Sequence, residues 1–82
     1  MPVKLILYST SHCHLCEQAE SLLKIFEIDN NLLWETVEIS ENMKLLELYA
    51  TKIPVLRRMD KNIEIAWPFT ASEIANLINP AK

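Results

Sequence analysis

Two cysteines stand three residues apart in Cys13-His14-Leu15-Cys16, and a histidine flanks the first of them on each side, His12 and His14. At the start of a helix, residues three apart lie one above the other on the same face, so their sulfurs can meet. Cys13 would then sit where unpaired backbone N–H groups converge and the helix dipole is positive, and both features favour thiolate over thiol. The thiolate is the nucleophilic form, and such surroundings bring a cysteine pKa from about 8.5 toward neutrality. Cys16, one turn inside the helix, is expected to be more buried and to stay a thiol until needed. The chemistry this predicts is thiol–disulfide exchange. Cys13 attacks a substrate disulfide to give a mixed disulfide, and Cys16 resolves it by pairing with Cys13.

A CxxC pair also serves metals. Cys13 and Cys16 with His12 or His14 could hold copper(I) or part of a zinc site. A closed zinc site requires two further ligands, and the sequence has no second Cys/His cluster. A metal carrier therefore stands as an alternative, as does a non-catalytic adaptor, and no metal ligands are assigned. Redox chemistry is favoured because the pair falls on a strand-loop-helix junction. His12 and His14 can stabilise the Cys13 thiolate when protonated or shuttle a proton, or they are plain solvent-exposed loop residues. Glu17 reads as a first-turn carboxylate that suits the helix dipole.

The elements that must position the pair follow from hydrophobic periodicity. Residues 3–8 form a near-continuous apolar strand suited to a central place in a sheet. Residues 9–12 are a polar loop, and a helix runs over 13–28 with Leu15, Ala19, Leu22 and Phe26 along one face. A second strand covers 33–39, where Glu35 and Glu38 fall on opposite faces, as suits a sheet edge. Ser40 is the expected N-cap of a helix over 41–50 bearing Leu45, Leu46 and Tyr49. A third strand over 53–57 opens through Pro54, turns at 59–61 and pairs with a fourth over 62–66. Thr70-Ala71-Ser72-Glu73 has the form of a capping box, opening a last helix with Ile74, Leu77 and Ile78 on one side and Pro80 closing it.

The order is β-α-β-α-β-β-α, an α/β domain. Its first two strands must be parallel, with a right-handed crossover, and its last two form an antiparallel hairpin. The four-stranded sheet is therefore mixed, with helices on both faces. Residues 1–82 make a single domain. Glycine is absent, so positive-φ turn positions are expected to fall to Asn and Asp within 29–31 and 60–62.

Composition narrows the partners. Lys and Arg number 8 against 11 Asp and Glu, and no basic run exceeds Arg57-Arg58. A nucleic acid calls for clustered cations, so none is expected as a partner. The apolar stretch over 5–8 is too short for a signal-peptide core or a membrane span. A cytoplasmic monomer is the expectation, and a purely structural disulfide is not expected in a reducing compartment.

Residues 8–16, Tyr8-Ser9-Thr10-Ser11-His12-Cys13-His14-Leu15-Cys16, followed by Ile53-Pro54-Val55-Leu56, resemble the glutaredoxin-like branch of the thioredoxin superfamily. The resemblance is to short bacterial glutaredoxin-like proteins with a C-H-L-C motif, and it covers essentially the whole chain. It implies a thioredoxin-like fold and a cis Ile53–Pro54 bond facing the CxxC, with Ile53 offering main-chain bonds to a substrate in the manner of strand addition. A cis Pro54 would also shield the sulfurs from metal ligation.

The chain departs from glutathione-using relatives after the hairpin. Their Gly-Gly and acidic residue are replaced by Ile65-Ala66-Trp67-Pro68-Phe69-Thr70, and Ser11 and His12 stand where a basic residue usually precedes the motif. No resident cofactor is expected, and glutathione is carried only as a co-substrate without its usual site. Trp67 and Phe69 either wall the active site or pack the last helix on the sheet. Trp34 and Tyr49 read as packing residues and Lys52 as a solvated lysine. The catalytic candidates are Cys13 and Cys16. The substrate-binding candidates are Ile53, Pro54, His12, His14 and Trp67. The expected partners are a protein disulfide or small thiol, and a reductant that recycles the pair.

Overall fold

A computed structural model describes residues 3–29 and 32–79. Its elements are β1 (Val3–Ser9), α1 (His14–Asp29), β2 (Leu32–Glu38), a 3-10 turn (Ile39–Glu41), α2 (Met43–Tyr49), β3 (Val55–Arg58), β4 (Ile63–Ala66) and α3 (Ala71–Ile78). The sheet order is β2-β1-β3-β4. Strand β1 runs parallel to β2, with Ser9 opposite Glu38, and antiparallel to β3, with Tyr8 opposite Val55. The β3–β4 hairpin is antiparallel. This is the mixed α/β sheet expected from the sequence, with β2 at an edge.

The central place of β1 follows from its apolar run. Leu5 and Leu7 point to one face and Tyr8 to the other, because successive side chains of a strand alternate. On the first face Leu5, Leu7 and Leu56 pack with Ala19 and Leu23 of α1 and with Ile74, Leu77 and Ile78 of α3. On the second, Tyr8 and Val55 pack with Ile39 and Tyr49. Ten buried residues on the first face against four on the second make the α1/α3 side the principal core among the described residues. Each fully buried leucine or isoleucine there contributes about 1.5–3 kcal/mol relative to exposure.

Several boundaries differ from the sequence expectation, each for a local reason. The buried stripe of α1 uses Cys16 and Leu23, while Leu15 is 43% exposed. Ser40 does not cap α2. The Glu38 carboxylate accepts the Ser40 N–H at 3.1 Å and draws Ile39–Glu41 into its own 3-10 turn. The cap passes to Asn42, whose Oδ1 accepts the N–H groups of Lys44 at 2.9 Å and Leu45 at 3.1 Å. Strand β3 begins at Val55, because Pro54 has no N–H and the Ile53 N–H is already donated to the Tyr49 carbonyl at 3.0 Å. The capping box of α3 forms as read, with Thr70 Oγ1 accepting the Glu73 N–H and Glu73 Oε1 accepting the Thr70 N–H, both at 3.1 Å. Of the expected positive-φ positions, Asn62 is found at φ 53°. A second lies at His12, φ 59°, where none was expected. Asn30, Asn31 and Pro80 lie outside the described residues.

Polar residues close the ends of this frame. Arg58 is 8% exposed and donates from Nη1 to the Leu77 and Ile78 carbonyls at 2.8 and 2.7 Å, while its Nε donates to Asp60 Oδ1 at 2.7 Å. A cation thus satisfies the final carbonyls of α3, where the helix dipole is negative. On the opposite face Tyr8 and Tyr49 stack with ring centroids 4.5 Å apart, and the Tyr49 hydroxyl donates to Glu64 Oε2 at 2.9 Å. Trp34 packs on the α1/α3 core and donates from Nε1 to Glu27 at 2.6 Å. Among the described residues, no helix is long and apolar enough to cross a membrane.

Candidate active site

Strand β1 ends at Ser9, and three loop residues lead to Cys13, the residue preceding α1. The Cys13 carbonyl accepts the Glu17 N–H at 3.1 Å, the first bond of the helix. Its sulfur accepts the Cys16 N–H, also at 3.1 Å. Cys13 therefore occupies the N-cap, with sulfur in the place where a serine or aspartate would present oxygen to the third helical N–H. Cys13 and Cys16 are joined in a disulfide, with Cα atoms 5.2 Å apart. The two cysteines differ in access. Cys16 is 2% exposed, whereas Cys13 is only half-buried. Cys13 is partly open to solvent while Cys16 is enclosed.

The loop ahead of Cys13 is held from the neighbouring strand. Glu38, at the end of β2, accepts the Ser11 N–H on Oε1 at 3.0 Å and the Ser40 N–H on Oε2. Hydrogen bonds from the Thr10 side chain and from Ser40 hold the Glu38 carboxyl below its ordinary value. The sequence reading placed Glu38 on an edge strand but gave it no role. The signal was a carboxylate at the C-terminal end of a strand parallel to the one carrying the motif. His12 sits between Ser11 and Cys13 with its backbone in the left-handed region, so the chain turns sharply just before the cap.

Both flanking histidines lie at the surface. His12 is exposed. His14 is 94% exposed at its side chain and shares a 3.2 Å hydrogen bond between Nδ1 and Glu17 Oε2.

Pro54 is fully buried after a cis Ile53–Pro54 bond, as the resemblance implied. The pairing of Tyr8 with Val55 puts Pro54 at the same end of the sheet as Ser9 and the loop leading to Cys13. Its carbonyl accepts the Trp67 N–H at 3.0 Å, which ties the start of β3 to the segment after β4. Ile53 is half-buried, and its N–H is used within the chain. Trp67 packs edge-on against buried Phe69, centroids 5.1 Å apart, and against the α1/α3 core, which fits the packing reading. The Trp67–Pro68 bond is also cis. Lys52 is exposed. Among the described residues, no group of three or more His, Cys, Asp or Glu side chains is placed to hold a metal ion.

Comparisons with known proteins bear on the fold and the family. A family model, the glutaredoxin-like domain (DUF836), matches residues 4–79. No curated protein matches the sequence. Among solved structures, the chain is similar to protein XcR50 of X. campestris, at 31% identity over 95% of this chain and 99% of that one, with a TM-score of 0.80. It is also similar to protein Ne2328 of Nitrosomonas europaea, at 26% identity over 96% and 94% of the two chains, with a TM-score of 0.85. Thioredoxin 1 of Thermosipho africanus, 20% identical over 92% and 89% of the chains with a TM-score of 0.60, shares the fold. With a thioredoxin-like fold and a family match that spans the sheet, the CxxC loop and all three helices, the chain belongs to the glutaredoxin-like domain family.

Proposed function

We propose that this protein is a thiol–disulfide oxidoreductase with Cys13 as nucleophile and Cys16 as resolving thiol. The observation that carries the reading is the cap: the Cys13 sulfur receives the Cys16 N–H at the positive end of α1. In the reduced protein that hydrogen bond and the helix dipole both favour the Cys13 thiolate. The thiolate attacks one sulfur of a substrate disulfide, forming a mixed disulfide and expelling the other sulfur as a thiolate, which takes up a proton. Cys16 then loses its proton and attacks the Cys13 sulfur, which releases the second substrate thiol. The substrate gains two electrons and two protons, and Cys13–Cys16 is left oxidised. A thiol reductant restores the pair.

At the start of α3 the Thr70 N–H is donated to Glu73 Oε1 and the Glu73 N–H to Thr70 Oγ1, which sets the chain's own carboxylate at that helix end. This supports a protein disulfide or small disulfide over glutathione held in a dedicated pocket. In this reading the substrate meets Ile53 and Pro54, at the end of the sheet where β1 leads to Cys13, through the Ile53 carbonyl, and His12, His14 and Trp67 are the further residues proposed to contact it. A monomer in the reducing cytoplasm fits this role.

Trapping tests the reading. Cys16→Ser should accumulate mixed disulfides with substrates through Cys13, while Cys13→Ser should not. Equal trapping by both variants, or a Cys13 thiol of ordinary pKa that never pairs with Cys16 in a thiol redox buffer, would overturn it.

A further inference from the structure

We infer that Glu38 is a positioning residue for the proposed exchange reaction, acting on Cys13 through the loop that precedes it. One carboxylate here joins two segments that are far apart in sequence. Oε1 accepts the N–H of Ser11, 27 positions away, and Oε2 accepts the N–H of Ser40. The Thr10 side chain adds a further hydrogen bond. The parallel register makes this possible. Glu38 lies opposite Ser9, so the two strands end level and the chain leaving β1 passes the carboxylate at once.

The consequence falls on Cys13. Only His12 separates the clamped Ser11 from the cap, and His12 is already held at φ 59°. A non-glycine residue keeps that backbone only when its surroundings impose it. Fixing Ser11 on one side and the first turn of α1 on the other imposes it. The clamp therefore sets the direction in which Cys13 enters the helix, and with it the 3.1 Å approach of its sulfur to the Cys16 nitrogen. Glu38 touches neither sulfur. Its effect on them is geometric.

That mechanism can be separated from a direct charge effect by sign. A carboxylate near a thiolate disfavours it, so removing the charge alone lowers the Cys13 pKa. Releasing the loop weakens the cap and raises it. The experiment is a pH profile of Cys13 alkylation by iodoacetamide, with the reduction potential, in reduced wild type, Glu38→Ala, Glu38→Gln and the control Glu35→Ala. Glu35 is an exposed carboxylate on the same strand, paired with Lys4 at 3.6 Å. In Glu38→Ala, alkylation at neutral pH should fall about fivefold with a raised Cys13 pKa, the size of effect expected from a lost cap. Glu38→Gln keeps one acceptor oxygen and should fall between Glu38→Ala and wild type, and Glu35→Ala should match wild type. If Glu38→Ala does not fold, the Gln variant alone decides. An unchanged or lowered Cys13 pKa in the folded Glu38 variants overturns the proposal, even where melting temperature drops. The inference rests on the oxidoreductase reading, and the two fail differently. An ordinary Cys13 pKa in wild type defeats the reading, whereas a low wild-type pKa unmoved by Glu38→Ala defeats only the clamp.

Discussion

The Cys13 sulfur stands 3.1 Å from the backbone nitrogen of Cys16 and caps the helix in which Cys16 is buried. A group that ends a helix this way contributes to stability as well as to reactivity. Serine is a good N-cap and alanine a poor one, and neither can form the disulfide. Cys13→Ser should therefore be more stable than Cys13→Ala by about 1 kcal/mol. Urea unfolding of the two variants measures this directly, and equal midpoints would mean that the cap contributes nothing.

Arg58 lends itself to a sharper test, because its guanidinium is nearly enclosed and binds the last two carbonyls of α3. Methionine fills similar space but leaves both carbonyls without that donor. Arg58→Met should cost about 1.5–3 kcal/mol, the range for hydrogen bonds to a charged group. Arg58→Lys should recover less than half of the loss, since an ammonium lacks the planar fork that reaches the carbonyls and Asp60 together. A loss below about 0.5 kcal/mol in Arg58→Met, the scale of a neutral surface substitution, would show that α3 is held by its apolar face alone.

Acid and alkali should weaken the fold through different residues. Glu38, held below its ordinary 4.5 chiefly by the Thr10 hydrogen bond, contributes stability that is complete above 4.5 and is lost as pH falls through its folded value. Asp60 behaves likewise below 3.8, because the Arg58 hydrogen bond favours its charged form. Tyr49 runs the other way. Burial and then the Glu64 hydrogen bond raise its hydroxyl above 10.0, so its contribution is present below 10.0 and lost as pH rises through the folded value. Melting temperature against pH should show a flattened acid limb in Glu38→Gln and a flattened alkaline limb in Tyr49→Phe. Parallel curves for wild type and either variant would contradict the assignment for that residue.

The sequence made most of this architecture legible because its strongest signals are local. The apolar run of β1, the helical spacing of Ala19 and Leu22, and the Thr70–Glu73 box each specify an element without long-range information. The CxxC at the strand-helix junction was readable for the same reason. What was not readable depends on contacts between distant segments. Ser40 is a good cap by residue type, yet the Glu38 carboxylate captures its N–H and the N-cap passes to Asn42. Arg58 looked like half of a short basic run, and only the docking of α3 turns it inward. The resemblance implies main-chain bonds from Ile53 to a substrate, but the Ile53 N–H is donated within the chain to the Tyr49 carbonyl.

His12 shows the same limit and supplies the last test. In a chain without glycine, the left-handed positions were expected at Asn and Asp, whose short side chains tolerate them. Asn62 meets that expectation; His12, at φ 59°, does not. Its backbone follows from the tight passage between Ser11, bound by Glu38, and the start of α1. Glycine at position 12 removes the local cost but also loosens the unfolded chain, and these effects nearly cancel, so His12→Gly should stay within about 0.5 kcal/mol of wild type. Valine keeps the Cβ clash that glycine removes and adds a branched side chain, so His12→Val should be less stable than both wild type and His12→Gly. The histidine ring is exposed, so lost packing does not explain a difference between the two variants. Chemical denaturation of the oxidised proteins decides it. If His12→Val is as stable as His12→Gly, the left-handed turn before Cys13 is not imposed on the native chain.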